Sequence, residues 1–214
     1  MKKKTIALIS ILITIVFITI YYFTNGFDFI KYYDSDFDIV TYHSNNDKDN
    51  DGIDDQTDIL ISALNYVNTE PEYKSKYYAS GYPDDEYGVC TDVLAFAMLN
   101  SGYNLQEMVN EDIINHPEEY DIDIIDKNID FRRVKNLIVF FQNNYQPLTI
   151  DENDYTKWQA GDIVVIKKHV GIVSDIRNKD GIPYLIHNNG NGNYVQNIMN
   201  RYNIVGHYRL DLTI

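Results

Sequence analysis

One cysteine and two distant histidines are the residues in this chain whose types and order could do nucleophilic chemistry. Cys90 follows the loop Tyr87-Gly88-Val89 and opens the run Thr91 to Asn100, where Val93, Leu94, Ala97 and Met98 recur at helical spacing. A thiol attacks as its thiolate, and the unpaired N–H groups and dipole at a helix start stabilise that anion. Far downstream, His169 heads the strand-like run His169-Val170-Gly171-Ile172-Val173, and His187 closes Tyr184-Leu185-Ile186-His187. The combination suggests a cysteine-histidine hydrolase. Against it stands the common fate of a free cysteine, which is to be a small buried hydrophobe.

Compartment bears on that choice. Lys2, Lys3 and Lys4 precede an uncharged, mostly apolar stretch from Thr5 to Phe23, about the ~20 residues that a spanning helix needs. No small-residue A-x-A cleavage site follows it, so residues 1–26 read as an uncleaved membrane anchor, with secretion as the alternative. The lysines place the rest of the chain outside the membrane by the positive-inside rule. No cysteine lies near the segment, which excludes a lipoprotein anchor. A single cysteine in an exported chain has no internal disulfide partner and is left as a reactive thiol, an intermolecular bridge or a buried bystander. The formal charge of −14 becomes −17 without the three N-terminal lysines. That balance argues against nucleic acid and against an anionic membrane surface as partners.

Residues 27–46 mix aromatic and acidic side chains without a period and read as a stalk ending in an irregular lead-in to the domain, leaving 47–214 as one domain. Its first motif is acidic. Asp47-Lys48-Asp49-Asn50-Asp51-Gly52-Ile53-Asp54-Asp55-Gln56-Thr57-Asp58 puts carboxylates at positions 1, 3, 5, 9 and 12 of a calcium loop, with Gly at 6 for the turn. The expected ligands are Asp47, Asp49, Asp51, the Ile53 carbonyl, Asp55 and Asp58. Calcium there would be structural, and no organic cofactor is expected. Position 12 is Asp58 rather than Glu, and the competing reading is a solvated acidic linker that caps the helix behind it.

Helices are expected from about Leu105 to Asn115 and from about Phe131 to Asn144. Arg132 and Arg133 stand near the start of the second, where the dipole disfavours cations. Such an arginine is either held by a carboxylate or reserved for an anionic substrate, and Arg132 is taken as a candidate substrate contact. Tyr87 is another, three residues before the thiol. From Trp158 the period changes to short strands: Ile163 to Lys167, His169 to Ile176, Pro183 to His187 and a last one around His207 to Leu210. Strands after a helical half indicate an α+β fold with an antiparallel sheet. His207 is a structural residue or a substrate contact.

Gly88-Val89-Cys90-Thr91-Asp92, Arg132-Arg133-Val134-Lys135-Asn136-Leu137, Gly161-Asp162-Ile163-Val164, His169 through Asp175, Ile186-His187-Asn188 and Gly206-His207-Tyr208-Arg209 resemble the bacterial family catalogued as domain of unknown function 1287. The resemblance runs from about Asp54 to Arg209. More distantly the chain is similar to the NlpC-type and CHAP peptidoglycan hydrolases, which implies a papain-like fold. Carried over by position, Cys90 is the nucleophile, His169 the general base and His187 the orienting third member. A membrane-anchored amidase or endopeptidase acting on cell-wall peptides then competes with two alternatives. One is an acyltransferase or thioesterase using the same three residues. The other is a non-enzymatic module in which Cys90, His169 and His187, with or without His207, bind zinc, or in which the calcium loop braces an adhesion surface.

Overall fold

An apolar helix, α1 (Lys2–Thr24), stands apart from the packed elements in the structure, a computed structural model that describes residues 2–24 and 30–214. Its side chains from residue 4 to 21 are exposed, and it is long and apolar enough to cross a membrane. At 1.5 Å per residue it spans about 35 Å. The stalk expected over 27–46 needs correction. Residues 27–29 lie outside the described residues, but the chain from Ile30 onward is bound to the domain. The backbones of Tyr32 and Arg177 exchange hydrogen bonds at 3.1 and 2.7 Å, Arg177 donates from Nε to Asp34 at 2.5 Å, and Tyr42 N–H donates to the Gln159 side chain. The cause is Arg177 itself. Its guanidinium is fully buried, which is tolerated only with a counter-ion and satisfied donors, and Asp34 plus the carbonyls of Tyr155, Trp158 and Gly181 supply both.

The domain begins with α2 (Asp55–Val67), whose N-cap Asp54 accepts from Thr57 N–H. Two short parallel strands follow, β1 (Glu72–Tyr73) and β2 (Tyr87–Gly88), and then α3 (Cys90–Asn100) and α4 (Leu105–Asn115). The single helix expected from Phe131 to Asn144 is split into α5 (Lys127–Asp130) and α6 (Val134–Asn144), with Arg132 and Arg133 in the turn between them. Arg132 therefore lies in the turn before the helix rather than in its first turn. Helices α2 and α3 run antiparallel: Tyr103, just after α3, donates to Asp55 at the start of α2, while Tyr66 near the end of α2 stacks on Phe96 of α3.

Five antiparallel strands complete the fold: β3 (Ile163–Ile166), β4 (His169–Arg177), β5 (Pro183–Ile186), β6 (Val195–Gln196) and β7 (Ile204–Tyr208), in the spatial order β6-β5-β4-β3-β7. The fold is α+β, as the order of helical and strand periods predicts. The uninterrupted run Ile163-Val164-Val165-Ile166 has a physical reason, since both faces of the sheet are covered. Ile163, Val165, Val170 and Ile172 pack on the helices. Val164, Ile166, Val173 and Leu185 face the other way, onto Trp158, Ile198 and Met199. Gly171 lets β5 come close, because a Cβ there would meet the Ile186 carbonyl at 2.9 Å.

A buried charge cluster anchors β3 and β7 to the start of α2. Asp162, fully buried, accepts from Arg209 Nε at 2.7 Å and Nη2 at 2.9 Å, from the Gln159 N–H, from His207 Nε2 and from the Gln56 amide. Burial alone would raise its pKa, but the hydrogen bonds and charges of His207 and Arg209 outweigh burial and hold it below the usual carboxylate range. We expect Asp162→Asn to leave the Arg209 cation without its anion at a cost of about 3–5 kcal/mol. An unchanged urea midpoint would contradict this account.

Candidate active site

The start of α3 is fixed by Asp92. Its Oδ2 accepts the Val89 N–H at 2.8 Å, and its carboxylate takes a two-pronged pair from Arg132 at 2.6 and 2.9 Å. Arg132 also donates to the Lys76 carbonyl. At 5 % exposure and with these partners it is held in place by Asp92, which corrects its assignment as a substrate contact. The short strands are held from the sheet side: the Asn188 amide donates to the Pro71 carbonyl at 2.9 Å and to the Gly88 carbonyl at 3.2 Å.

Cys90 is buried, with 5 % of its surface exposed. Burial pushes its thiol above the ordinary cysteine range. The N–H groups of Val170, Thr91 and Cys90 pull the other way, and the nearby Asp92 carboxylate adds to the rise. The expectation of a thiolate made by the helix start is thereby corrected, since a carboxylate already occupies that end of the helix and water is excluded. The sulfur nevertheless lies against the first peptide of β4, because the Val170 N–H that reaches it belongs to the residue after His169.

His169 occupies the first position of β4. By strand alternation it points to the sheet face opposite Val170, and there it meets His187: Nε2 of His169 lies 2.6 Å from Nδ1 of His187, with the rings at 85°. His187 Nε2 is 2.8 Å from Gln196 Oε1, which also accepts from the Asn189 amide at 2.9 Å. Two donors on one oxygen fix which end of the amide is which, and that fixes the tautomers in turn. An amide oxygen only accepts, so His187 carries its proton on Nε2 and accepts on Nδ1. His169 must then donate from Nε2, leaving its Nδ1 lone pair bare. Burial lowers the pKa of His169 to about 4; burial, with the charge of His169 added, lowers His187 to about 3. Both rings are neutral at pH 7, and the free protein holds a neutral thiol and a neutral histidine pair.

The tyrosines sort differently from the sequence expectation. Tyr87 sits beneath the ammonium groups of Lys74 and Lys76, with its phenol bonded to Glu86, so its assignment beside the thiol is corrected. Tyr73, its neighbour on β1, is the one whose electrostatic environment includes Cys90. It is half exposed, and the ring of Tyr202, also exposed, lies 6.4 Å from that of His169. His207 takes no part: its ring nitrogens face Asp162 and the Thr149 carbonyl, and it stacks on Trp158 at 3.7 Å. That position corrects both its reading as a substrate contact and its place in a zinc set. Spacing alone missed Gln196, Asn188 and Tyr73. A polar residue at the end of a two-residue edge strand has no periodicity to flag it.

A family profile described as a domain of unknown function, DUF1287, matches residues 60–210. The chain belongs to this family. A protein of Escherichia coli (strain K12) named "Uncharacterized protein YijF" is 36 % identical over 151 residues, covering 65 % of this chain and 72 % of the relative. No solved structure matches. The DUF1287 segment contains Cys90, His169, His187 and Gln196, and it begins after the acidic loop 47–58 and after α1.

Two outcomes test this site. Iodoacetamide should alkylate Cys90 slowly at pH 7, at least about tenfold below an unstructured cysteine peptide, with a rate that rises only above the ordinary cysteine range. Rapid alkylation at pH 6–7 would show a preformed thiolate. Because both histidine pKa values are depressed, the unfolded chain binds more protons between pH 6.5 and about 4, so the stability they contribute is present above 6.5 and lost as pH falls through that window. The slope approaches about 1.4 kcal/mol per pH unit for each ring. His187→Gln should flatten it relative to the unsubstituted protein, and an identical pH profile for the two would refute the neutral buried pair.

Proposed function

We propose that the chain is a cysteine hydrolase, an amidase or endopeptidase with Cys90 as nucleophile, His169 as general base and His187 as the residue that orients it. The observation that carries this reading is the directed hydrogen-bond chain Gln196–His187–His169. It leaves one bare imidazole nitrogen on the residue next to the peptide that touches the sulfur. A histidine pair kept only for packing would not require one ring nitrogen left without a partner.

In this mechanism His169 Nδ1 takes the thiol proton as sulfur bonds to the substrate carbonyl carbon, and the carbonyl electron pair moves to oxygen. The Cys90 N–H, at the helix start, is the oxyanion donor, a role whose loss typically costs about 10²–10³-fold in rate. Collapse of the adduct breaks the C–N bond, and His169 passes its proton to the departing amine. Water, deprotonated by the same nitrogen, then releases the acid and restores the thiol. No sulfur–imidazole hydrogen bond joins the two groups in the free protein, where sulfur takes backbone donors instead. Proton transfer is therefore coupled to substrate binding, consistent with catalytic bonds that tighten only in the complex.

A helix that presents a thiol against an antiparallel sheet with two histidines is the papain-like arrangement of the NlpC-type enzymes, and we include that fold in the proposal. With α1 in a membrane and Lys2, Lys3 and Lys4 on the inner side, the domain would lie outside the cell membrane. The amide polymer within reach there is peptidoglycan. The zinc alternative loses its optional fourth ligand, since His207 is committed to Asp162, and among the described residues Cys90, His169 and His187 do not gather as a metal-ligand group.

Muropeptide digests analysed by mass spectrometry should show that Cys90→Ala and His169→Ala reduce cleavage to background, and that His187→Ala lowers kcat by about 10²–10⁴-fold. Cleavage surviving in Cys90→Ala or His169→Ala overturns the mechanism. The kcat/KM profile should stay level from about pH 5 to 8, falling on the acid side as His169 is protonated near 4.

A further inference from the structure

We propose that Asp47, Asp49, Asp51 and Asp58, with the Ile53 carbonyl, form a calcium site that joins the start of α2 to the end of α3. Carboxylate oxygens of Asp47, Asp49 and Asp51 lie within 4.8 Å of one another. The independent observation is Asp58. In the first turn of α2 it is 94 % buried by surface, its Oδ2 has no hydrogen-bond partner, and the carboxylates it faces are Asp51, Asp49, Asp55 and Asp47. A buried carboxylate oxygen with no donor, turned toward other anions, is costly unless a cation completes the group.

No residue of the chain plays that part. The loop's one lysine, Lys48, has its ammonium over the Tyr103 ring at 5.9 Å, and among the described residues no ion pair involves Asp47, Asp49, Asp51 or Asp58. Gly52, at φ 95°, makes the turn that folds the loop back on itself. The sequence expectation is amended at one position. Asp55 gives one oxygen to the Lys48 N–H at 2.7 Å and the other to the Tyr103 phenol beyond α3, so it fastens the loop and is left out of the donor set, whereas Asp47, Asp49 and Asp51 accept only from backbone N–H groups of the loop itself. The remaining donor set is all oxygen, rich in charge and carried by an exposed loop. Those features favour calcium over magnesium, which demands a stricter octahedron, and over zinc, which prefers nitrogen and sulfur.

The site sits where Lys48 and Asp49 lie against Gly102, immediately beyond the helix whose first residue is Cys90. It does not rest on the hydrolase reading. The test is calorimetric titration of the full-length protein in detergent with calcium chloride, alongside thermal melting in calcium, magnesium or chelator at matched ionic strength. One calcium per chain should bind with a dissociation constant of about 10⁻³ M or tighter, raising Tm by roughly 5 °C at saturation. Asp58→Asn should weaken binding at least tenfold while melting in chelator no lower than the unsubstituted protein. Asp49→Asn, at an exposed position, gives the same reading should the buried variant fail to fold. Cys90→Ala should bind calcium normally, which separates this site from the proposed catalysis. Absence of saturable binding, full affinity in Asp49→Asn, or an equal rise in Tm with magnesium would overturn the proposal.

Discussion

The buried pair of Asp92 and Arg132 is the constraint on which the arrangement around Cys90 depends. One carboxylate accepts the N–H of Val89, the residue that caps α3, and at the same time holds a guanidinium that reaches the Lys76 carbonyl. Thr91, between Cys90 and Asp92, donates to the Arg132 carbonyl at 3.3 Å. Four segments thus meet within three residues of the sulfur: the loop before α3, α3 itself, the Lys76 region and the turn between α5 and α6. Such pairs specify geometry more than they add stability, because desolvation offsets much of the attraction. Here the geometry has an electrostatic side effect. The anion that fixes the helix also opposes a second anion on Cys90, so the position that holds the sulfur most firmly also keeps it protonated.

The two histidines follow the same logic from the other side. Burial opposes charging either ring, and a charge on His169 would make charging His187 harder still. What remains is a neutral relay whose direction is set by Gln196 at its far end. Polarity in this relay comes from hydrogen-bond donors and acceptors placed in sequence, with no formal charge in the resting protein.

Strong periodicity made much of this architecture legible. The apolar spacing from Val93 to Met98 and the change to alternating or continuous apolar runs after Trp158 locate α3 and β3 to β5 to within a residue or two, because each buries a face whose period is imposed by its own backbone. Cys90 and the His169–His187 pair were visible as residue types on those elements. Other features depend on side chains far apart in sequence. The Arg132–Asp92 bond spans forty residues and Asn188 reaches back a hundred to Gly88. No local pattern distinguishes these residues from surface polar ones. The thiol's protonation was misjudged for a related reason: the helix start is visible in sequence, but the depth at which it is buried is not. Residues 27–46 read as a stalk ending in a lead-in because their mixed composition hides that Asp34 serves an arginine 143 positions away.

That last ion pair has a mechanical consequence. The point where the chain first grips the domain, Tyr32, is only eight peptide steps from Thr24 at the end of α1. Fully extended, those steps reach at most about 30 Å. With α1 inserted in a bilayer, the domain hangs on a leash shorter than its own chain would suggest, and it can sweep only a thin layer next to the lipid. Any polymer it handles must come down to that layer.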